Sequence, residues 1–140
     1  MDLIEELKRE EGFSEVVYKD HLGFDTIGYG TKMPLSKAEC NFLLRSRLSV
    51  FITEVDNKLG YLDIRQEAKD ILYLMAYQMG LAGVMKFKKM IKALEIQDYY
   101  KASLEGRDSK WYKQTPERAE RLMSALGKGT IKHYIESNKG

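Results

Sequence analysis

A single cysteine, Cys40, stands in the chain, which leaves no internal disulfide open to it. No histidine lies near it in sequence, so the usual partner of a reactive thiol is missing. Its neighbours Phe42, Leu43 and Leu44 on a predicted helix lead us to expect a buried or half-buried side chain. The two histidines, His21 and His133, are far apart and belong to no spaced Cys, His or carboxylate set. They read as ordinary surface or turn residues, and no metal site is expected. Two prolines and no low-complexity tract leave no flexible linker. The N-terminal stretch Met1–Lys8 is acidic and amphipathic, neither a signal peptide nor a membrane span, so the expectation is a chain with no export signal and no stable membrane insertion. Phosphate-binding loops, dinucleotide fingerprints and the Gly-x-Ser-x-Gly elbow are all missing. No dense basic stripe with interleaved aromatics argues for nucleic acid.

What is present suits one domain, or two small lobes sharing a core: 140 residues, 44% of them apolar and 31% charged. The net charge of +2 is unevenly spread. Residues 1–60 carry 8 basic against 11 acidic groups, a balance of −3, whereas residues 101–140 carry 9 against 5, a balance of +4. That asymmetry suits either a solvated helical surface or an anionic polymer near the C-terminal part.

Along the chain, Leu3, Ile4 and Leu7 give a short helix over residues 2–11 with Gly12 as its cap, so Glu11 ends that helix. The period then changes. Val17–Lys19 reads as a strand, His21–Phe24 as a turn and Thr26–Tyr29 as a returning strand, which would set Asp20 and Thr26 facing each other across the turn. Pro34 and the capping box Ser36-Lys37-Ala38-Glu39 open a long helix over 36–59, about 35 Å in length. A second helix covers 63–79 until Gly80 and Gly83 break it, and shorter helices follow over 84–95 and 97–104. Thr115 as cap and Pro116 as first residue start a helix that stops at Gly127, with a last one over 130–137.

The stretch Glu11–Gly30 holds the chemistry: two carboxylates nine positions apart, Glu11 and Asp20, and the Thr26 hydroxyl six further on. Glycosidic hydrolysis needs one carboxylic acid to protonate the leaving oxygen and one carboxylate on the other side of the sugar. Two solvated acids are the plainer reading of the same pair. Thr26 either orients a water or simply suits a strand. Gly28 and Gly30 either let a substrate approach or serve turn geometry. Tyr77-Gln78 suits sugar binding or a core helix end; Trp111 suits an anchor for the helical core; Arg118 and Arg121 share one helix face.

Three blocks of residues then resemble one family: Glu11-Gly12 through Tyr18-Lys19-Asp20 to Thr26-Ile27-Gly28-Tyr29-Gly30; Tyr77-Gln78-Met79-Gly80 with Gly83-Val84 and Phe87; and Trp111-Tyr112, Gln114-Thr115-Pro116, Arg118-Ala119 and Arg121. In order and spacing the chain resembles the phage-type lysozymes, muramidases of tailed phages and prophages, including the T-even type. The resemblance implies an α+β fold, mostly α: a small N-terminal β-hairpin lobe (13–35), a linking helix (36–59) and a helical lobe (1–12 plus 60–140). It implies Glu11 as general acid, Asp20 as second carboxylate and Thr26 as holder of the attacking water, with inversion at the anomeric carbon. Arg118 resembles the helix arginine that contacts the catalytic Glu, and Gln78 and Trp111 a hydrogen-bonded pair between helices. Gly30 and Tyr77 are expected to meet substrate. The implied substrate is the peptidoglycan glycan strand, cut by a monomer without metal or cofactor. It implies an endolysin held in the host cytoplasm until a holin-type lesion releases it, the holin not being a binding partner.

The sequence also departs from the T-even pattern. Thr31 stands where that type has a His, so its His–Asp ion pair is missing. Only Lys32–Leu35 separates the hairpin from the long helix, which predicts a small lobe with little or no third strand. Met90 occupies the first of the family's later polar substrate contacts. Against a lytic transglycosylase stand Asp20 and Thr26, which that chemistry does not need. A catalytically inactive wall-binding module is the alternative of another class.

Overall fold

Asp2 starts the first helix by accepting hydrogen bonds from the backbone N–H of Ile4 (3.0 Å) and Glu5 (3.3 Å). The helix, α1 (Leu3–Glu11), ends at Gly12, whose φ of 68° turns the chain out of helical geometry while its N–H donates to the Lys8 carbonyl. These coordinates of the chain are a computed structural model that describes residues 1–137, with side chains described for residues 1–128. They divide into two compact units, Met1–Leu44 and Arg45–Gly140.

In the first unit α1 is followed by a three-stranded antiparallel sheet in the order β1 (Ser14–Lys19), β2 (Asp25–Gly28), β3 (Thr31–Lys32). Ser14 pairs with Gly28 and Tyr18 with Thr26, so four steps along β1 match two along β2. The surplus is taken up in a bulge, where the Ser14 hydroxyl donates to the Val16 carbonyl (2.7 Å) and accepts from the Val16 N–H (3.3 Å). A third strand does form, but it is two residues long, as the short connection after Gly30 predicts. The predicted juxtaposition of Asp20 and Thr26 is shifted: Thr26 pairs with Tyr18 on one side and Lys32 on the other, and Asp20 lies two residues beyond Tyr18.

The long helix α2 (Lys37–Leu59) opens on a reciprocal capping box: the Glu39 N–H donates to Ser36 Oγ (3.1 Å) and the Ser36 N–H to Glu39 Oε1 (2.8 Å). Cys40 corrects our expectation. It is exposed, as are Phe42, Leu43 and Leu44; on this helix full burial comes only at Val55 and Leu59. Apolar spacing identifies a face but not where along the helix that face finds a partner.

The second unit is built around α3 (Gln66–Met85), whose Ala68, Ile71, Leu72, Met75 and Ala76 are buried at helical spacing. Gly80, at φ 78°, kinks it, as read from the sequence. Gly83 does not break it. A Cβ there would meet the Met79 side chain at 2.7 Å, so Gly83 serves close packing. α4 (Lys88–Glu95) and α5 (Tyr99–Arg107) follow. A five-residue helix, α6 (Lys110–Gln114), was not expected. The Thr115 hydroxyl donates back to the Trp111 carbonyl (3.1 Å) and closes α6, while the Thr115 carbonyl accepts from the Ala119 N–H (2.9 Å) at the cap position the sequence suggested for the next helix. That helix, α7 (Pro116–Ser137), does begin at Pro116 and runs on through Gly127 as one piece. Glycine stops a helix by taking a positive φ, and Gly127 is not among the glycines that do so.

α7 joins the unit together. Its Ala119, Met123 and Leu126 are buried with Leu94, Ala102 and Trp111. Glu120 receives the Arg107 guanidinium through Nε (2.9 Å) and Nη2 (3.0 Å), the Tyr112 hydroxyl (2.9 Å) and the Ser124 hydroxyl (2.9 Å), linking α5, α6 and α7. This hydrogen bonding, led by Arg107, holds the Glu120 carboxyl at about 2. Arg65, at the start of α3, lies over the Tyr99 ring and donates to the carbonyls of Ala125 (2.9 Å) and Leu126 (2.6 Å).

Candidate active site

Glu11 is placed by the last turn of α1 and by the turn between β2 and β3. Gly30 in that turn has φ 74°, and a Cβ built on it would lie 2.5 Å from Glu11 Oε2 and 2.7 Å from its Cδ. The carboxylate therefore occupies the space a side chain at position 30 would fill. Around it, the Phe13 and Tyr29 rings pack at 5.1 Å and Lys8 Nζ sits 5.6 Å from the Tyr29 ring centre. A cavity of about 330 Å³ is lined by Glu11, Gly12, Phe13, Ser14 and Tyr18.

Asp20 is held by the β1–β2 turn. Its Oδ1 accepts from the backbone N–H of Leu22 (2.9 Å) and Phe24 (2.8 Å), which fixes the carboxylate rigidly to the turn. Its Oδ2 lies 3.7 Å from Lys32 Nζ on β3. The Phe24 N–H leads in holding the carboxyl below the ordinary Asp value; burial opposes this, and the Leu22 N–H, Lys32 and His21 add to the lowering. One oxygen is thus saturated by backbone donors, and the other remains open to a further proton donor.

Thr26 is the centre of the sheet and is buried. Its hydroxyl donates to the Phe24 carbonyl (2.8 Å), so its oxygen is left to accept. Glu11, Asp20, Thr26 and Gly30 all belong to the first unit. The remaining predicted residues belong to the second. Trp111 Nε1 donates to Gln78 Oε1 (3.0 Å), joining α6 to α3, and the Trp111 ring meets Phe87 edge-on at 5.8 Å. Tyr77 packs edge-on against Phe51 at 5.7 Å. Arg118 is exposed in the first turn of α7.

Two roles escaped the sequence. Lys32 was noted only as part of a short connection; its position on β3 beside Asp20 is a matter of strand register. Gly30 was read as room for substrate or as turn geometry; in the fold its missing side chain also leaves room for Glu11. Among the described residues no group of three or more His, Cys, Asp or Glu is arranged to hold a metal ion, and no helix is long and apolar enough to cross a membrane.

Compared with known proteins, residues 8–126 match the family model described as phage lysozyme. The chain is 32% identical to the pre-baseplate central spike protein Gp5 of Enterobacteria phage T4 across 96% of its own length, but spans only 29% of that protein. It is 30% identical to probable T4-type lysozyme 2 of Dictyostelium discoideum and 27% identical to probable T4-type lysozyme 1, in each case across 91% of this chain and 95% of the relative.

Proposed function

This chain belongs to the phage lysozyme family, and from that premise we propose that it is a muramidase that cuts the β-1,4 bond between N-acetylmuramic acid and N-acetylglucosamine in peptidoglycan, with inversion. The α+β architecture, a small antiparallel sheet followed by helices, is that of the family. The observation that carries the catalytic reading is the contrast between the two acids. Asp20 is fixed by two backbone N–H groups and kept in its ionised form, as a base must be. Glu11 lies against Gly30, and no backbone donor meets its carboxylate among the described residues.

In this reading Glu11 gives its proton to the glycosidic oxygen as the bond to the anomeric carbon lengthens. A water on the opposite face of the sugar gives one hydrogen to Asp20 Oδ2 and the other to Thr26 Oγ1, which accepts because its own hydrogen is committed to Phe24. That leaves an oxygen lone pair directed at the anomeric carbon, and its attack inverts the configuration. No covalent sugar–enzyme bond forms.

Clearing of a purified peptidoglycan suspension tests this. Glu11→Gln and Asp20→Asn should each lose at least about a hundredfold in rate while keeping the native circular dichroism spectrum; full activity in either would remove that residue from the mechanism. Proton NMR of the first products should show the α anomer. Host lysis, as a cytoplasmic endolysin released by a holin, is the biological setting we propose.

A further inference from the structure

A cavity of about 510 Å³ lies in the second unit. Its rim carries Lys86, Lys88, Lys89 and Lys110. A second cavity of about 360 Å³ shares Lys89 and Glu105 with it and adds Lys92 and Lys101. The two form one run of lysines across the end of α3, all of α4, and parts of α5 and α6. Only Glu105 and Asp108 among the lining residues are acidic. All six lysines are exposed, and among the described residues none stands in an ion pair.

A solvated surface ordinarily mixes signs and places acids where a helix begins. Here α4 has no acid in its first turn, and Lys88 and Lys89 occupy its first two positions, where the helix dipole disfavours cations. Lys88 and Lys92 are spaced i, i+4, so like charges share a face. The arrangement costs stability locally, and an external anion would relieve it.

The chemistry of that anion can be narrowed. Charges spread over two adjoining cavities suit a chain of repeated anions better than a single one. Six lysines without an arginine are point charges that suit phosphate and offer no planar fork for carboxylates. The aromatic residues provide no stacking platform for bases: Trp111 is buried, bonded to Gln78 and packed on Phe87. We propose that this lysine-lined double cavity binds a polyol phosphate polymer of the bacterial wall. That the polymer is a wall component rests on the muramidase reading; the binding itself does not.

The probe is poly(glycerol phosphate), titrated calorimetrically into the full chain and into the variant Lys86→Gln/Lys88→Gln/Lys89→Gln. Circular dichroism checks that the variant folds, as expected for exposed positions. Wild type should bind at low salt and weaken steeply as salt rises. The triple variant should bind roughly tenfold or more weakly, with a log–log salt slope smaller by about 2. Absent binding, equal binding by the variant, or equal or tighter binding of an oligonucleotide or a polyglutamate of the same charge overturns the proposal. Hydrolysis of phosphate-free peptidoglycan is measured on the same preparations. Polymer binding without turnover supports this site and rejects the muramidase reading; turnover without polymer binding does the reverse.

Discussion

Replacing Gly30 with alanine separates what the site needs from what the fold needs. The new methyl would stand 2.5 Å from Glu11 Oε2, 2.7 Å from Cδ and 3.1 Å from Cγ. Ordinary contacts between such atoms are about 3.5 Å, so the carboxylate must withdraw by about 1 Å. Glu11 is exposed at the end of a flexible side chain, so the withdrawal itself costs little. The backbone cost is that of an L residue at φ 74°, about 1–2 kcal/mol, which for a chain of this size lowers the melting temperature by roughly 3–8 °C. A proton donor displaced by about 1 Å, however, loses on the order of a hundredfold in rate. Gly28→Ala is the comparison: its φ is 66°, and a Cβ there meets nothing within 4 Å. Both variants should melt alike, and only Gly30→Ala should lose most of its kcat/KM on peptidoglycan. Equal activity losses in the two would refute the reasoning, because backbone strain would then account for both.

Three further outcomes follow from the geometry. Asp20, held below the ordinary Asp value of 3.8 chiefly by the Phe24 N–H, contributes to stability above that value and loses its contribution as pH falls through its lower folded value. Since Lys32 is a lesser cause and half exposed, Lys32→Met should raise the Asp20 titration, followed by carboxyl NMR, only slightly, leaving it below the ordinary Asp value. Glu120→Gln removes the negative charge that pairs with Arg107; exposure of the pair limits the loss to about 1 kcal/mol. Because Glu120 is held at about 2 against an ordinary 4.5, that loss should be full above pH 4.5 and fade towards pH 2 in urea denaturation series. Gln78→Leu leaves the buried Trp111 N–H without its acceptor and should cost about 1–3 kcal/mol in thermal or urea unfolding.

The features legible in the sequence were those written within a few residues. Gly12 and the Ser36–Glu39 box each decide a helix end through bonds spanning three or four positions, and both act as read. The misreadings concern partners far along the chain. The spacing around Cys40 gave a helix face but could not say where that face is covered. α6 is five residues long, too short for periodicity to register, and it is held by Trp111 reaching Gln78, 33 residues away. Gly30 illustrates this most sharply for the site. Its φ was legible as turn chemistry, but the reason no side chain fits there is a carboxylate 19 positions earlier. Glu11 and Asp20 were recognisable by family resemblance; what holds each of them was legible only in the fold.

Arg65 gives the second unit a timetable during synthesis. Its guanidinium closes on the carbonyls of Ala125 and Leu126, 60 and 61 residues downstream. At roughly 5–20 residues per second, a ribosome needs about 3–12 s to make that interval. Throughout it, the apolar face of α3 waits for Ala119, Met123 and Leu126, and the Arg65 guanidinium, which can meet Tyr99 earlier, lacks its carbonyl acceptors. The nascent unit is therefore open to proteases and to association with other chains until α7 has left the exit tunnel, and a pause in translation between the codons for Arg65 and Leu126 would lengthen that exposure in direct proportion.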